Sequence, residues 1–154
     1  MQQILALGML VLFGGAGRTI EGSYLARSMN GQPIPAELHV AATAGDFRVF
    51  RLEQGLLRLS DDGRFTLYFR YYHQLVSRGG KPKVTPVMSD SETGTFELRA
   101  GRIVLTPAKK AGRKSRPSIT ATIAGDEIKA SYLLQTGGTH QKVNLTLRRD
   151  ASFW

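Results

Sequence analysis

The segment Arg64-Phe-Thr-Leu-Tyr-Phe-Arg-Tyr-Tyr72 decides the fold class of this chain. Every second side chain from Phe65 to Tyr71 is apolar or aromatic, whereas the positions between them are polar or amphipathic. This period of two is typical of a half-buried β-strand. The preceding residues 56–60 are also apolar-rich and lead into the turn Asp61-Asp-Gly63, so the two segments predict a β-hairpin.

The same alternation between turn signals recurs along the chain. It predicts strands at residues 22–28, 37–41, 47–50, 56–60, 64–72, 93–99, 102–106, 118–124, 127–134 and 142–148. Residues 77–90 carry glycines and prolines and are predicted to form a loop. About eight to ten short strands at this spacing indicate an all-β fold, an antiparallel up-and-down meander that closes into a barrel or folds into a sandwich.

The N-terminal part of the chain differs from the rest. Residues 4–13 form an uninterrupted apolar run, and small residues follow at positions 14–17. The run is shorter than the ~20 residues of a membrane-spanning helix and suits the core of a secretory signal peptide. We therefore predict a cleaved signal peptide at residues 1–18, a barrel domain at 19–150, a short tail at 151–154, and an extracytoplasmic location, periplasmic or secreted. Because Met1-Gln-Gln3 carries no Lys or Arg, a buried N-terminal helix or strand remains the alternative.

The composition narrows the classes of site and partner. A chain of 154 residues is the size of one domain, and its lack of cysteine excludes disulfides, thiolate metal ligands and cysteine nucleophiles. A net charge of +9 favours anionic partners such as acidic glycans, lipid headgroups or nucleic acid, although a basic surface also serves solubility alone.

Five short motifs follow one another along residues 20–149. They are Gly22-Ser-Tyr24 with Asn30-Gly-Gln-Pro-Ile-Pro35, the turn region Asp61-Asp-Gly63, Gly94-Thr-Phe96, Gly125-Asp126 and Leu145-Thr-Leu-Arg-Arg149. In this order the motifs resemble those of bacterial lipocalin-like domains. The resemblance implies a lipocalin-like barrel whose interior can hold a small apolar ligand.

The resemblance also implies how the barrel closes. In lipocalins the first strand carries Gly-x-Trp, and an arginine of the last strand stacks on that tryptophan. Gly22 and Tyr24 take the place of that motif here, and Arg148 or Arg149 is the expected partner. An arginine over a tyrosine ring is a favourable cation–π contact, although it is weaker than with tryptophan.

The inward faces of the predicted strands supply a candidate ligand-binding set. It consists of Phe65, Leu67, Phe69, Tyr71, Phe96, Leu98, Ile119, Ala121, Ile123, Tyr132, Val143 and Leu145. An eight-stranded barrel is just wide enough to be filled by its side chains or to hold one small ligand. The small side chain of Ala121 leaves room whereas the aromatic rings fill it, so the sequence leaves both possibilities open.

Two further features point to contacts outside the barrel. A basic run without an acidic residue predicts an anion-binding loop, or else a solvated loop; it contains Lys109, Lys110, Arg113, Lys114 and Arg116. Arg78, Lys81 and Lys83 extend this patch if both loops lie at the same end of the barrel. On the outer face of residues 64–72, Tyr68, Arg70 and Tyr72 form either a stacking surface for bases or sugars or an ordinary amphipathic face.

Residues for catalysis or metal binding are not grouped in the sequence. The three histidines, His39, His73 and His140, are scattered without metal-ligand spacing. Five acidic residues lie near turn signals and are predicted to form turns, namely Asp46, Asp61, Asp62, Asp90 and Asp126. The chain contains no Gly-x-Ser-x-Gly motif and no phosphate-binding glycine loop. We therefore expect a protein that is not an enzyme and uses no cofactor or metal.

Together these features predict an exported binding protein, monomeric or weakly associated, with a small hydrophobic or amphipathic ligand inside its barrel. The alternative is a surface interaction module with a filled core, which binds an acidic polymer or an anionic membrane surface through the basic run. No specific nucleic acid partner is expected.

Overall fold

Eleven β-strands dominate the computed structural model, which describes residues 19–41, 47–77, 79–112, 114–136 and 139–153. They are β1 (Gly22–Met29), β2 (Gln32–Pro33), β3 (Ala36–Ala41), β4 (Phe47–Leu59), β5 (Arg64–Val76), β6 (Lys83–Val84), β7 (Met88–Arg99), β8 (Arg102–Pro107), β9 (Ile119–Ala124), β10 (Glu127–Thr136) and β11 (Thr139–Arg149), followed by a 3-10 turn at Ala151–Phe153. The predicted signal peptide lies outside the described residues, as do Asp46, Arg78, Arg113 and Trp154. Within the described ranges, no helix has the length and apolar character needed to cross a membrane.

Eight of these strands form a closed antiparallel barrel. Their order around the wall is β1-β11-β10-β9-β8-β7-β5-β4, and pairing between β4 and β1 closes the ring. The short strands β2, β3 and β6 add to the edges of β1, β4 and β5. The prediction of an all-β antiparallel barrel is therefore confirmed, and the sandwich alternative is wrong.

The longest departure from the predicted strands is β4, a single strand of 13 residues where two short strands were expected. Its pairing with β5 contains a bulge between Leu52 and Gln54, which shifts the alternation by one residue. Buried Phe50 and Leu52 have even numbers, whereas buried Leu57 and Leu59 have odd numbers. Because the shift interrupts the period of two, the sequence pattern of this one long strand resembles that of two short strands. Strand β7 likewise begins at Met88, inside the predicted loop at 77–90.

The barrel interior is an apolar core. Most of the predicted interior residues are buried in it: Phe65, Leu67, Phe69, Ile119, Ala121, Tyr132, Val143 and Leu145. Three more are half-buried and pack against it: Tyr71, Phe96 and Ile123. These side chains therefore form one apolar core cluster inside the barrel.

Leu98 does not belong to this interior, and its predicted placement is wrong. Its side chain is 54% exposed. Strand β7 pairs with β5 only as far as Thr95, opposite Arg64, so Leu98 lies beyond the part of β7 that has neighbours on both sides. The alternation of residues places Leu98 on the same face of β7 as Phe96, but it does not show where the barrel wall ends.

The two ends of the barrel differ in their connections. At the end that we call the hairpin end, tight turns join β4 to β5, β7 to β8 and β9 to β10. The opposite end, the loop end, carries residues 77–87 between β5 and β7 and residues 108–118 between β8 and β9. Both of these longer connections leave from the same end because β5 and β8 each run antiparallel to β7.

Arg149 and Tyr24 close the barrel at the hairpin end. The Arg149 Cζ lies 5.2 Å from the centroid of the Tyr24 ring, and Arg149 Nη2 donates a hydrogen bond of 2.8 Å to Tyr24 Oη. Arg149 Nη1 also donates to the carbonyl of Glu21 at 3.0 Å, and Arg149 Nη2 donates to that of Thr19 at 2.6 Å. The expected stacking contact is confirmed for Arg149, whereas Arg148 lies on the exposed outer face.

Candidate functional site

The barrel wall has a gap between β7 and β10 near the loop end. Strand β8 pairs with β7 from Gly94 to Arg99, and β9 pairs with β10 from Glu127 to Ala130. Residues 88–93 of β7 and 131–136 of β10 continue beyond these pairings. Among the described strand pairings, they have no partner on the edges that face each other. The wall is therefore open at the place where longer β8 and β9 strands would have continued towards the loop end.

Residues 108–118, which we call the basic loop, cross this gap. The Ala108 backbone N–H donates a hydrogen bond of 2.8 Å to the carbonyl of Thr93, which fixes the start of the loop to β7. Lys110 Nζ donates to the carbonyl of Ser91 at 3.1 Å. Both contacts satisfy carbonyl groups of β7 that the missing part of β8 leaves without a strand partner.

A cluster of two buried side chains and one half-buried arginine holds the far end of the basic loop. Arg116 Nη1 lies 2.8 Å from Glu92 Oε2 and donates to Tyr132 Oη at 2.6 Å. Tyr132 Oη in turn donates a hydrogen bond of 2.7 Å to Glu92 Oε2. The cluster therefore joins β7, β10 and the basic loop through charge-assisted hydrogen bonds, which are stronger than neutral ones.

The placement of Glu92 follows from the register of β7. Glu92 lies opposite Leu67 of β5, which is a core position, and only 6% of Glu92 is exposed. A buried carboxylate is costly unless it is paired and hydrogen-bonded. Arg116 and Tyr132 provide both kinds of partner, so the cluster makes a charged residue acceptable on the inward face.

The surroundings of the cluster also fix two protonation states. Burial raises the pKa of the Tyr132 phenol, and the hydrogen bond to Glu92 raises it further, whereas Arg116 opposes the rise. Burial alone lowers the pKa of Arg116, but its contacts with Tyr132 and Glu92 outweigh this effect and the pKa is raised overall. At neutral pH, Tyr132 is a protonated donor and Arg116 is a cation.

A cleft of about 830 Å³ opens beside this cluster, and we call it the side cleft. Its volume falls within the range of small-molecule sites, about 300–1,000 Å³. Charged side chains in its lining are Asp90, Glu92, Lys110, Lys114 and Arg116, with His140 nearby in the same lining. Apolar surface comes from Ala108, Pro117, Ile119, Tyr132 and Leu133, and hydroxyl groups come from Ser91, Ser115, Ser118 and Ser131. The side cleft thus combines cationic, anionic, hydroxyl and apolar groups.

The structure distributes the predicted interior set between two places. Ile119 and Tyr132 line the side cleft, whereas most other members of the set belong to the packed core. The apolar wall of the cleft draws on only two members of the set.

The predicted anion-binding run is divided as well. Lys110, Lys114 and Arg116 line the side cleft, Lys109 is exposed on the basic loop without lining it, and Arg113 lies outside the described residues. Arg116 is engaged by Glu92, so its charge is already compensated. Among the described residues that line the cleft, the exposed cations are Lys110 and Lys114.

Sequence reasoning missed the two acidic residues of the cleft. Asp90 was predicted to form a turn, and this is wrong because it lies within β7. Glu92 has the same parity as Phe96 in β7, and this parity was the available signal for its inward position. No group of three or more His, Cys, Asp or Glu side chains that could hold a metal ion occurs among the described residues.

Comparisons of the chain with protein-family models, curated proteins and solved structures gave no match. The likeness to lipocalin-like domains therefore rests on the order of short motifs, and the function has to be argued from the geometry of the site.

Proposed function

We propose that this protein is a non-catalytic binding protein that holds a small amphipathic anion in the side cleft. The observation that carries the proposal is the meeting of exposed lysines and apolar surface in one cleft of about 830 Å³. Ligand sites of this size are typically apolar with a few polar groups that fix orientation. The proposal keeps the expected class of ligand and moves its site from the barrel interior to the barrel wall.

The two ends of the ligand follow from the lining. Lys110 and Lys114 offer ammonium groups to an anionic headgroup and outnumber the remaining carboxylate, Asp90, because Arg116 and Glu92 balance each other. Ile119, Tyr132 and Leu133 offer surface to an apolar chain. A ligand that is either purely apolar or purely ionic would leave one part of this lining unused.

The chemistry of the Glu92, Arg116 and Tyr132 cluster supports binding rather than catalysis. Tyr132 has a raised pKa, keeps its proton and donates a hydrogen bond to Glu92, so it is not a base near neutral pH. Glu92 Oε2 accepts hydrogen bonds from both Arg116 and Tyr132. These groups are occupied with one another and hold the basic loop in place.

A surface interaction module remains the second candidate function. Lys81 and Lys83 lie in the connection between β5 and β7, which leaves the same end of the barrel as the basic loop with Lys109 and Lys110. An acidic polymer or an anionic surface that covers this end would contact both stretches. The predicted export of the protein fits either candidate and stays a prediction.

The first experiment is calorimetric titration with octyl phosphate, kept below its micelle concentration. We expect binding by the unmodified protein and a loss of about tenfold in affinity, or ~1.4 kcal/mol, for the double variant Lys110→Gln/Lys114→Gln. The matched control Lys81→Gln/Lys83→Gln changes the net charge equally and should bind as the unmodified protein does. Equal losses in both variants would favour the surface module, and no binding by the unmodified protein would refute the proposal.

Chain length provides an independent check of the apolar part of the cleft. Each methylene buried in the cleft should add about 0.8 kcal/mol, or roughly fourfold in affinity, between hexyl and octyl phosphate. Binding that depends on the phosphate alone would show no such gain and would contradict placement of the chain against Ile119 and Leu133.

A further inference from the structure

A second cavity, which we call the outer recess, adjoins the side cleft. It measures about 500 Å³ and is lined by Tyr68, Ser89, Asp90, Ser91, Lys110 and Ala111. Three of these residues, Asp90, Ser91 and Lys110, also line the side cleft. The function proposed above makes no use of the outer recess.

The strand register explains how the outer recess forms. Tyr68 lies opposite Ser91 in the β5–β7 pairing, and Ser89 lies opposite Arg70, so these side chains share the outer face of the wall. Lys110 reaches from the basic loop to the Ser91 carbonyl at 3.1 Å and lies where the two cavities meet. Asp90 Oδ1 accepts a hydrogen bond of 2.9 Å from the Ser91 backbone N–H, which holds the carboxylate at the same boundary.

The lining of the outer recess differs chemically from that of the side cleft. Its described lining has a half-buried phenol ring, a carboxylate, two serine hydroxyls and an ammonium group, and the one aliphatic side chain among these residues is the methyl group of Ala111. A carboxylate accepts hydrogen bonds, an ammonium group donates them, and a serine hydroxyl does both. The electron-rich face of an aromatic ring attracts C–H groups of partial positive charge. A ring that carries several hydroxyl groups on one side and C–H groups on its face matches this set, whereas an alkyl chain does not.

We infer that the ligand of the side cleft carries a sugar ring, which occupies the outer recess. The inference rests on the proposed function and adds the order of the parts of the ligand. The apolar chain lies against Ile119 and Leu133, a phosphodiester lies beside Lys110, and the sugar stacks on Tyr68. The ligand class is therefore an amphiphile in which a phosphodiester joins an apolar chain to a sugar.

Two synthetic ligands of equal charge test the inference by calorimetry. Glucosyl octyl phosphate carries the sugar, and methyl octyl phosphate is the matched diester without it. We expect the unmodified protein to bind the glucosyl ligand about tenfold more tightly. The variant Tyr68→Leu keeps the bulk of the side chain and should lose this difference, while its affinity for the methyl ligand stays the same.

Two further variants separate recognition from folding. Tyr72→Leu alters the next outward tyrosine of β5, which does not line the outer recess, and should keep the tenfold preference. Ser89→Ala removes one exposed hydroxyl from the recess and should reduce the preference even if Tyr68→Leu does not fold.

The outcomes distinguish the two proposals. Equal affinity of the unmodified protein for both ligands would overturn the sugar site and leave the proposed function standing. A sugar preference that survives in both Tyr68→Leu and Ser89→Ala would overturn its placement in the outer recess. If neither ligand binds to the unmodified protein, the proposed function fails and the inference fails with it.

Discussion

Two arginine–tyrosine contacts of this barrel resemble each other in geometry and differ in their surroundings. Arg149 lies over Tyr24 at 5.2 Å at the hairpin end, and Arg116 lies over Tyr132 at 5.9 Å in the wall. Both tyrosines are buried, and each arginine donates a hydrogen bond to the phenol oxygen of its tyrosine. Around Arg149 the other hydrogen-bond acceptors include backbone carbonyls, whereas around Arg116 the main acceptor is the buried carboxylate of Glu92.

The contacts of Arg149 help to close the barrel, whereas the contacts of Arg116 attach the basic loop to the barrel wall. Backbone carbonyls are present whatever the side chains are, so the contacts of Arg149 reinforce a closure that the strand ladders already provide. The Arg116 cluster instead depends on side chains from three elements, and removing Arg116 leaves the buried carboxylate of Glu92 without its cation. We therefore expect the Arg116 cluster to be the more sensitive of the two to mutation.

The largest effect should come from Arg116→Met. It leaves Glu92 buried without its cation, and breaking such a pair costs about 3 kcal/mol in free energy of unfolding. Urea denaturation measures this loss. In the double variant Glu92→Gln/Arg116→Met the buried charge is gone and Tyr132 keeps an acceptor, so more than half of the loss should be recovered. A cost as small as that of an exposed ion pair, below about 1 kcal/mol, would show that the cluster is not buried in solution.

A smaller effect is expected for Arg149→Met. The carbonyls of Thr19 and Glu21 can bond to water instead, and the ion pair with half-exposed Asp126 at 3.4 Å is weakened by solvent. The loss of the hydrogen bonds should lower the free energy of unfolding by about 1.5 kcal/mol in the same assay. Octyl phosphate binding should not change, because Arg149 does not line the side cleft. A larger loss than for Arg116→Met would reverse the ranking of the two contacts.

The smallest effect concerns alkaline pH. Burial raises the pKa of both Tyr24 and Tyr132, but Arg149 counteracts the rise for Tyr24 while Glu92 adds to it for Tyr132. A tyrosine with a raised folded pKa contributes stability that is complete below the unfolded pKa of about 10 and is lost as the pH rises through the folded pKa.

Each such tyrosine should cost up to ~1.4 kcal/mol per pH unit above about pH 10, as measured by urea denaturation between about pH 9 and pH 11. We expect Tyr132→Phe to remove more of this alkaline loss than Tyr24→Phe does. The opposite order would mean that Glu92 does not act on Tyr132 as the structure indicates.

The alternation of residues predicted the barrel because most strands have one buried face along their whole length. In β5 the buried Phe65, Leu67 and Phe69 follow a period of two without interruption. The prediction failed in β4, where a bulge changes the parity, and at Leu98, where the strand continues past its neighbour. Both failures depend on the length and pairing of a neighbouring strand, which a segment read alone does not contain.

The candidate site was less predictable for a related reason. The basic run was visible in the sequence, but the partners of Arg116 lie 24 and 16 positions away on two different strands. Glu92 occupies a core position only because the wall is open beside it and the basic loop can reach it. No local sequence pattern shows that β8 and β9 are shorter than β7 and β10, the strands that they pair with.

Glycine at position 94 illustrates what a motif can conceal. The sequence offered Gly94-Thr-Phe96 only as part of a resemblance. A Cβ atom at Gly94 would lie 2.0 Å from the Thr106 carbonyl oxygen and 2.7 Å from the Phe65 ring. The glycine therefore permits a close approach of β8 to β7 at the end of their pairing, where Gly94 lies opposite Pro107.

The pairing of β1 with β11 ties the order of synthesis to the order of folding. Tyr24 lies opposite Arg149, 125 positions later in the chain, and the Asp150 backbone N–H donates to the Ser23 carbonyl at 2.9 Å. On a ribosome, β1 emerges long before its partner exists, so the ring closes only after β11 has been made. Bringing together segments so distant in the chain slows folding. The same neighbourhood of first and last strands suits the barrel to circular permutation, with the ends joined at the hairpin end and new termini opened between β5 and β7.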